Sequence, residues 1–266
     1  MSSNQQHASH PSAVTNPTQY LRSSQIARPF RWSANAAVLL AALALSWPLQ
    51  HAGGDLWIAD HLYRWQGGHW ALRDSWLLSS VLHTGGRWFS VICWVAVVFA
   101  WATSSHRNSS IRRREALGYL AVAVLASTLL VTLIKRVSGV DCPWDLQPFG
   151  GSHTYLAPFS ISEASRSGTC FPAGHASAGY AWLAAGFALA GKPRLRRLAW
   201  GLAATAGLVF GIAQQLRGAH FLSHDIWTAA LCWVVASSLA AMWCLPDNDA
   251  PNPAPDCPRT AGEIAR

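Results

Sequence analysis

Residues 116–134 read ALGYLAVAVLASTLLVTLI, nineteen positions without an Asp, Glu, Lys or Arg. An α-helix needs roughly 20 apolar residues to cross a bilayer, so this stretch is long enough to span one. Arg112, Arg113 and Arg114 precede it and Lys135 and Arg136 follow it, charges that hold a helix at the two interfaces. Five further stretches have the same character, at about 35–49, 88–103, 175–191, 198–216 and 226–245. Charged residues make up 12% of the chain against about a quarter in soluble domains. The expectation is an all-α fold, a six-helix transmembrane bundle. The fourth stretch is rich in Ala and Gly, and Gly179, Gly186, Gly201 and Gly207 suit close packing between membrane helices.

Charge gives the orientation. Arg107, Arg112, Arg113 and Arg114 follow the second span, and Lys192, Arg194, Arg196 and Arg197 follow the fourth, with Glu115 the one acid among them. Arg22, Arg28 and Arg31 precede the first. Positive charge collects in cytoplasmic loops, so both termini are expected inside and the loops after spans one, three and five outside. The formal charge of +8 is thereby accounted for by the membrane, and no nucleic-acid partner is expected. Residues 1–32 and 247–266 are polar or Pro-rich and are expected as disordered cytoplasmic tails flanking a membrane domain at 33–246.

No Asp, Glu, Lys or Arg falls near the middle of a span, which argues against an ion-coupled transporter. Polar residues gather instead where the helices meet the outer interface. Lys135-Arg136 ends the third span, Pro172-Ala173-Gly174-His175 opens the fourth, Arg217-Gly218-Ala219-His220 ends the fifth, and Ser223-His224-Asp225 opens the sixth. The orientation puts all four groups on one side, with the loop 138–171 as an outer-facing active-site loop. Cations, helix-start amides and imidazoles converging there suit a phosphate ester. Fixed positive charge stabilises the charge that shifts during phosphoryl transfer. A helix N-terminus supplies further donors. One imidazole can attack phosphorus while another moves the proton. This chemistry needs no cofactor and no metal, and the histidine spacings fit no common zinc motif.

At these residues the chain resembles the type 2 phosphatidic acid phosphatase family, relatives of the vanadium haloperoxidases, whose motifs are K-x6-R-P, P-S-G-H and S-R-x5-H-x3-D. The resemblance covers residues 135–225 and implies a membrane phosphatase of lipid phosphates or pyrophosphates acting through a phosphohistidine in the cytoplasmic membrane. It implies that Lys135, Arg217 and the Gly174 amide bind phosphate, that His175 is the general acid and that His220 is the nucleophile. Each motif is altered. Cys142 stands where the first motif has Arg, and Arg136, Arg166 or Arg87 (in His83-Thr84-Gly85-Gly86-Arg87) are candidates to replace it; the His83 segment also reads as a plain glycine turn into an anchored helix. Ala173 replaces Ser in the second motif. In the third, Arg217 lies three residues before His220 instead of six, and His224 occupies the Asp position with Asp225 next to it. Either Asp225 or His224 then orients His220, or His224 attacks while His220 binds phosphate.

Cys142 and Cys170 share the outer loop, and in an oxidising compartment a disulfide between them would close about 28 residues and stabilise by roughly 3–4 kcal/mol. Two other activities remain open in the sequence, transfer of phosphate between lipids and a non-catalytic lipid-binding module of the same fold. The expected partners are a membrane lipid substrate and the bilayer; oligomeric state is not legible.

Overall fold

The computed structural model describes residues 17–104, 111–158 and 168–243, with side chains from residue 32. Within them the chain forms seven helices and two isolated bridges. These are α1 (Pro17–His51), α2 (Gly54–Trp65), α3 (Trp76–Thr103), α4 (Ile111–Val137), α5 (residues 177–188), α6 (Pro193–Leu216) and α7 (Leu222–Met242). Five of them, α1 from Trp32 onward together with α3, α4, α6 and α7, are long and apolar enough to cross a membrane. Their outer faces carry exposed Leu40, Leu45, Ile92, Phe99, Leu129, Leu133, Leu202 and Ile212, a surface suited to lipid. The protein is a multi-pass membrane protein. α1 begins at Pro17, inside the segment expected as a tail, and α3 begins twelve residues before the expected 88 with a π-helical stretch at Trp76–Gly85. Cys244, Cys257, Arg107, Arg166 and the C-terminal tail lie outside the described residues.

The fourth expected span differs from the others. α5 consists of two α-helical pieces, Ser177–Tyr180 and Ala184–Ala188, joined by a 3-10 turn at Ala181–Leu183. It is short and interrupted, yet the chain crosses the bundle here, from the end where α4 stops to the end where α6 begins, enclosed by the other helices. Ala176, Ala181 and Ala184 are fully buried. Gly179 backs onto the α6 backbone so closely that a Cβ would stand 2.3 Å from the Gly207 nitrogen. The Tyr180 ring lies on Gly207 in turn, 2.3 Å from where a Cβ would sit. Backbones approach this closely only where side chains are missing. The small residues that weaken the hydropathy signal here are therefore what draws α5 into the centre.

The ends of α1, α4 and α6 and the starts of α3, α5 and α7 lie at one end of the bundle, and the chain covers that end with α2 and the segment 66–75. The Gln66 amide donates to the Leu216 carbonyl at 2.9 Å while its oxygen accepts from Leu72 N at 2.9 Å. The Arg73 guanidinium lies 4.2 Å over the Trp144 ring. The loop after α4 is tied to the same place. Trp144 N donates to the Gly218 carbonyl at 3.0 Å, Cys170 N donates to the Val140 carbonyl at 2.8 Å, and Cys142 and Cys170 are joined as a disulfide with Cα atoms 5.2 Å apart.

Replacing Gly207 by Val drives a branched side chain into the Tyr180 ring. Overpacking of this kind costs about 1–3 kcal/mol, so the thermal midpoint in detergent should fall by several degrees. Substituting Gly201, which has open space around it, should leave the midpoint unchanged.

Candidate active site

Lys135 stands in the last turn of α4 and packs beside Gly174, with its Nζ 3.6 Å from where a Cβ would sit. His175 follows Gly174, just before α5, and its ring stacks on that of His83 with centroids 3.5 Å apart and planes 29° from parallel. Lys135 lies within electrostatic reach of four imidazoles, His83, His175, His220 and His224. Arg217 reaches His83 and His175. Lys135 is thus near His175 and His220, and Arg217 near His175, although these residues come from α4, the start of α5 and the turn between α6 and α7.

Arg217 is held by its surroundings. Its Nε donates to the Arg73 carbonyl at 2.6 Å and its Nη1 donates to the Gln214 side-chain oxygen at 3.2 Å. The segment 66–75, which sequence reasoning passed over, thus fixes the orientation of a site cation. Gly218 follows with φ at 72°, and a Cβ there would meet the Trp70 indole at 2.5 Å. Both the backbone conformation and the space require glycine, so this part of the third motif serves the turn that presents His220.

His220 is 4% exposed, and its Nδ1 makes no hydrogen bond. Burial, reinforced by Lys135, His224 and His175, holds its pKa well below the ordinary histidine value, against a smaller opposing effect of the Cys170 carbonyl. The ring is neutral at working pH, which is the nucleophilic form. His224 lies 5.8 Å from it, ring to ring, fully buried and edge-on to Phe171 at 5.3 Å and Phe221 at 5.4 Å. Neither His224 nitrogen makes a hydrogen bond of good geometry.

The structure does not bring Asp225 to His220. Its Oδ2 accepts from Gln215 Nε2 at 2.5 Å, and the carboxyl packs against the bare backbone of Gly211 on α6, where a Cβ would stand 2.6 Å away. The reason is register: α7 begins at Leu222, so Asp225 sits in its first turn and faces α6. Arg136 is exposed and, among the described residues, is not one of the cations acting on the four histidines. Ala173, in place of a serine, is fully enclosed. Among the described residues no three His, Cys, Asp or Glu side chains are grouped as metal ligands.

Two residues of this region carried little or no signal in the sequence. His83 stood next to a glycine turn that reads equally well as a helix start. Asp55 had nothing to mark it, yet it is 1% exposed, and its carboxylate accepts from Ser223 N at 3.1 Å and from Ser223 Oγ, capping α7 beside His224.

A family model described as the PAP2 superfamily matches residues 116–249, half of the chain, from the second turn of α4 to beyond the end of α7. The chain belongs to the PAP2 superfamily. It is also 26% identical over 188 residues, 68% of its length and 82% of the relative's, to the Lipid A 4'-phosphatase of Francisella tularensis subsp. novicida (strain U112). No solved structure matches it. This PAP2 protein is a membrane phosphatase, and α1 to α3, with Asp55, His83 and Arg87, stand outside the matched segment.

Burial raises the Asp55 carboxyl to about 6, with the Ser223 hydrogen bonds opposing. The folded state then holds this proton more tightly than the unfolded chain, so the group costs stability as pH rises from about 4 to about 6. The loss reaches roughly 3 kcal/mol for a shift of about two units. The gap in thermal midpoint between wild type and Asp55→Asn should therefore change across this window and be constant above about pH 7. A gap independent of pH would show that Asp55 does not titrate there.

Proposed function

We propose that this PAP2 phosphatase hydrolyses lipid phosphate esters at the outer face of the cytoplasmic membrane, through a phosphohistidine on His220. The observation that carries the reading is the convergence of Lys135, His175, Arg217 and a neutral, buried His220 at one end of the bundle. Lys135, Arg217 and the Gly174 amide would hold the phosphoryl oxygens. A free ring nitrogen of His220 attacks phosphorus as the bond to the lipid oxygen breaks, and His175 gives that oxygen its proton. The incoming dianion brings the negative charge that lets His175 carry a proton among so many cations. Water then attacks the phosphohistidine, His175 takes its proton, the P–N bond breaks, and inorganic phosphate leaves. The enclosure of His224 between two phenylalanines supports His220 as the nucleophile and gives His224 a supporting place beside it.

Two features support the outer face. The basic residues Arg112, Arg113, Arg114, Lys192, Arg194, Arg196 and Arg197 flank the opposite ends of the helices, where cytoplasmic charge belongs. The Cys142–Cys170 disulfide suits an oxidising compartment. A lipid substrate fits a site at the ends of membrane-spanning helices, and the Francisella relative's name points to lipid A among the candidates.

Phosphate release should be measured from phosphatidic acid, phosphatidylglycerol phosphate, a polyprenyl pyrophosphate and lipid A, each with and without a lipid acceptor. Wild type should release phosphate from at least one. His175→Ala should lower kcat by roughly 10²- to 10⁴-fold, and His220→Ala should remove measurable turnover with the fold intact. Substantial activity in His220→Ala would transfer the nucleophile to His224. Wild type inert on every lipid would overturn the reading.

A further inference from the structure

The first motif lacks its arginine. Cys142 occupies that position, nearly buried and tied to Cys170, so no side chain there can reach a phosphate. Arg136 is exposed, as Arg87 is, but unlike Arg87 it is not among the charges acting on His83 and His175. The question is which group at this end of the bundle supplies the missing charge.

Arg87 on α3 is the candidate in place. Besides Lys135 and Arg217, it is the cation within electrostatic reach of both His83 and His175. It stands about one turn after His83, whose ring is stacked on His175. The stack, with centroids 3.5 Å apart, puts His83 directly against His175 and so brings the start of α3 to the site. α3 is fixed here at two points. Gly86 lies against Phe210 of α6 so tightly that a Cβ would meet the ring at 2.6 Å, and one turn further on Trp182 Nε1 of α5 donates to Ser90 Oγ at 2.9 Å. Arg87 lies between these anchors, and the stretch that carries it is thereby held against the two helices that frame the site.

We propose that Arg87, with His83, completes the phosphate site from α3, taking the place of the arginine that the first motif lacks at Cys142. The inference rests on the phosphatase reading and adds to the site a helix outside the matched family segment. A guanidinium donates to two phosphate oxygens at once, a geometry that neither Lys135 nor an imidazole reproduces. The groups facing this pair are Lys135 from α4, His175 before α5, and Arg217 after α6, all cationic or neutral. An anion is therefore the one ligand class that all of them favour.

Arg87→Gln, Arg87→Lys and His83→Phe, which keeps a flat ring for the stack, should be compared with wild type and with Arg64→Gln. Arg64 is an exposed arginine paired with Asp60 and stands apart from the cluster. The readouts are inhibition by orthovanadate and inorganic phosphate, KM and kcat for a lipid monophosphate, the thermal midpoint, and rescue by millimolar guanidinium. Arg87→Gln should weaken vanadate and phosphate inhibition by roughly 10- to 100-fold, the loss of one bidentate charged contact. Arg87→Lys should fall between it and wild type, and His83→Phe should weaken both anions less. Added guanidinium should restore part of the activity of Arg87→Gln and none of that of His83→Phe. Arg64→Gln should behave as wild type.

Arg87→Gln inhibited as strongly as wild type, or unaffected by guanidinium at an unchanged thermal midpoint, would overturn the inference while leaving the phosphatase reading standing. A wild type that neither releases phosphate nor responds to vanadate would instead overturn the reading itself, and the inference with it.

Discussion

Positive charge organises the site. Lys135 is partly withdrawn from water, and among the described residues no carboxylate forms an ion pair with it or with Arg217. Four imidazoles surround the lysine. Withdrawing an ammonium from water is costly unless an anion balances it, so the site keeps its imidazoles uncharged and its attraction for an anion high. Asp74 acts on Arg217 without forming an ion pair with it, and the two buried acids near the site are engaged elsewhere. Asp225 takes Gln215 against Gly211, and Asp55 takes the backbone and hydroxyl of Ser223. Each of these carboxylates fixes a helix start or a helix contact next to the site and leaves the cations free for substrate.

Small residues make the convergence possible. Lys135, His175 and His220 are each separated by dozens of residues along the chain, and they meet because α5 is short, central and nearly free of bulk at its contacts with α6. Gly179 on Gly207 and Trp200 over Gly186 set the helices closer than ordinary side chains allow. Gly218 turns the chain under Trp70, and Gly86 lets α3 lean on Phe210. In a bilayer, where burial of apolar surface between helices brings little net gain, packing of this kind carries much of the association.

The sequence made the bundle legible wherever hydropathy was strong, as at 116–134, and it made the cluster legible because four motif groups fell on one side of the membrane. It blurred the fourth span because the Ala and Gly that let α5 be buried are the residues that lower hydropathy. The Asp225 alternative was undecidable from spacing, since the direction of that side chain depends on where α7 begins, and the helix starts at Leu222 instead of near Ile226. Asp55 and the segment 66–75 were invisible because their roles are defined by partners more than a hundred residues away, Ser223 and Arg217. His83 was ambiguous for the same reason: its stacking partner comes from another part of the chain.

The central claim concerns a bond to His220. Wild-type protein in native-like vesicles should be mixed with a radiolabelled lipid phosphate, quenched in alkali within a turnover, digested, and the labelled peptide identified. The account predicts a base-stable, acid-labile phosphoryl group on the peptide containing His220, accumulating further in His175→Gln if breakdown is slowed more than formation, and absent from His220→Ala. Label on His224, or turnover with no histidine-linked phosphate at any quench time, would contradict it.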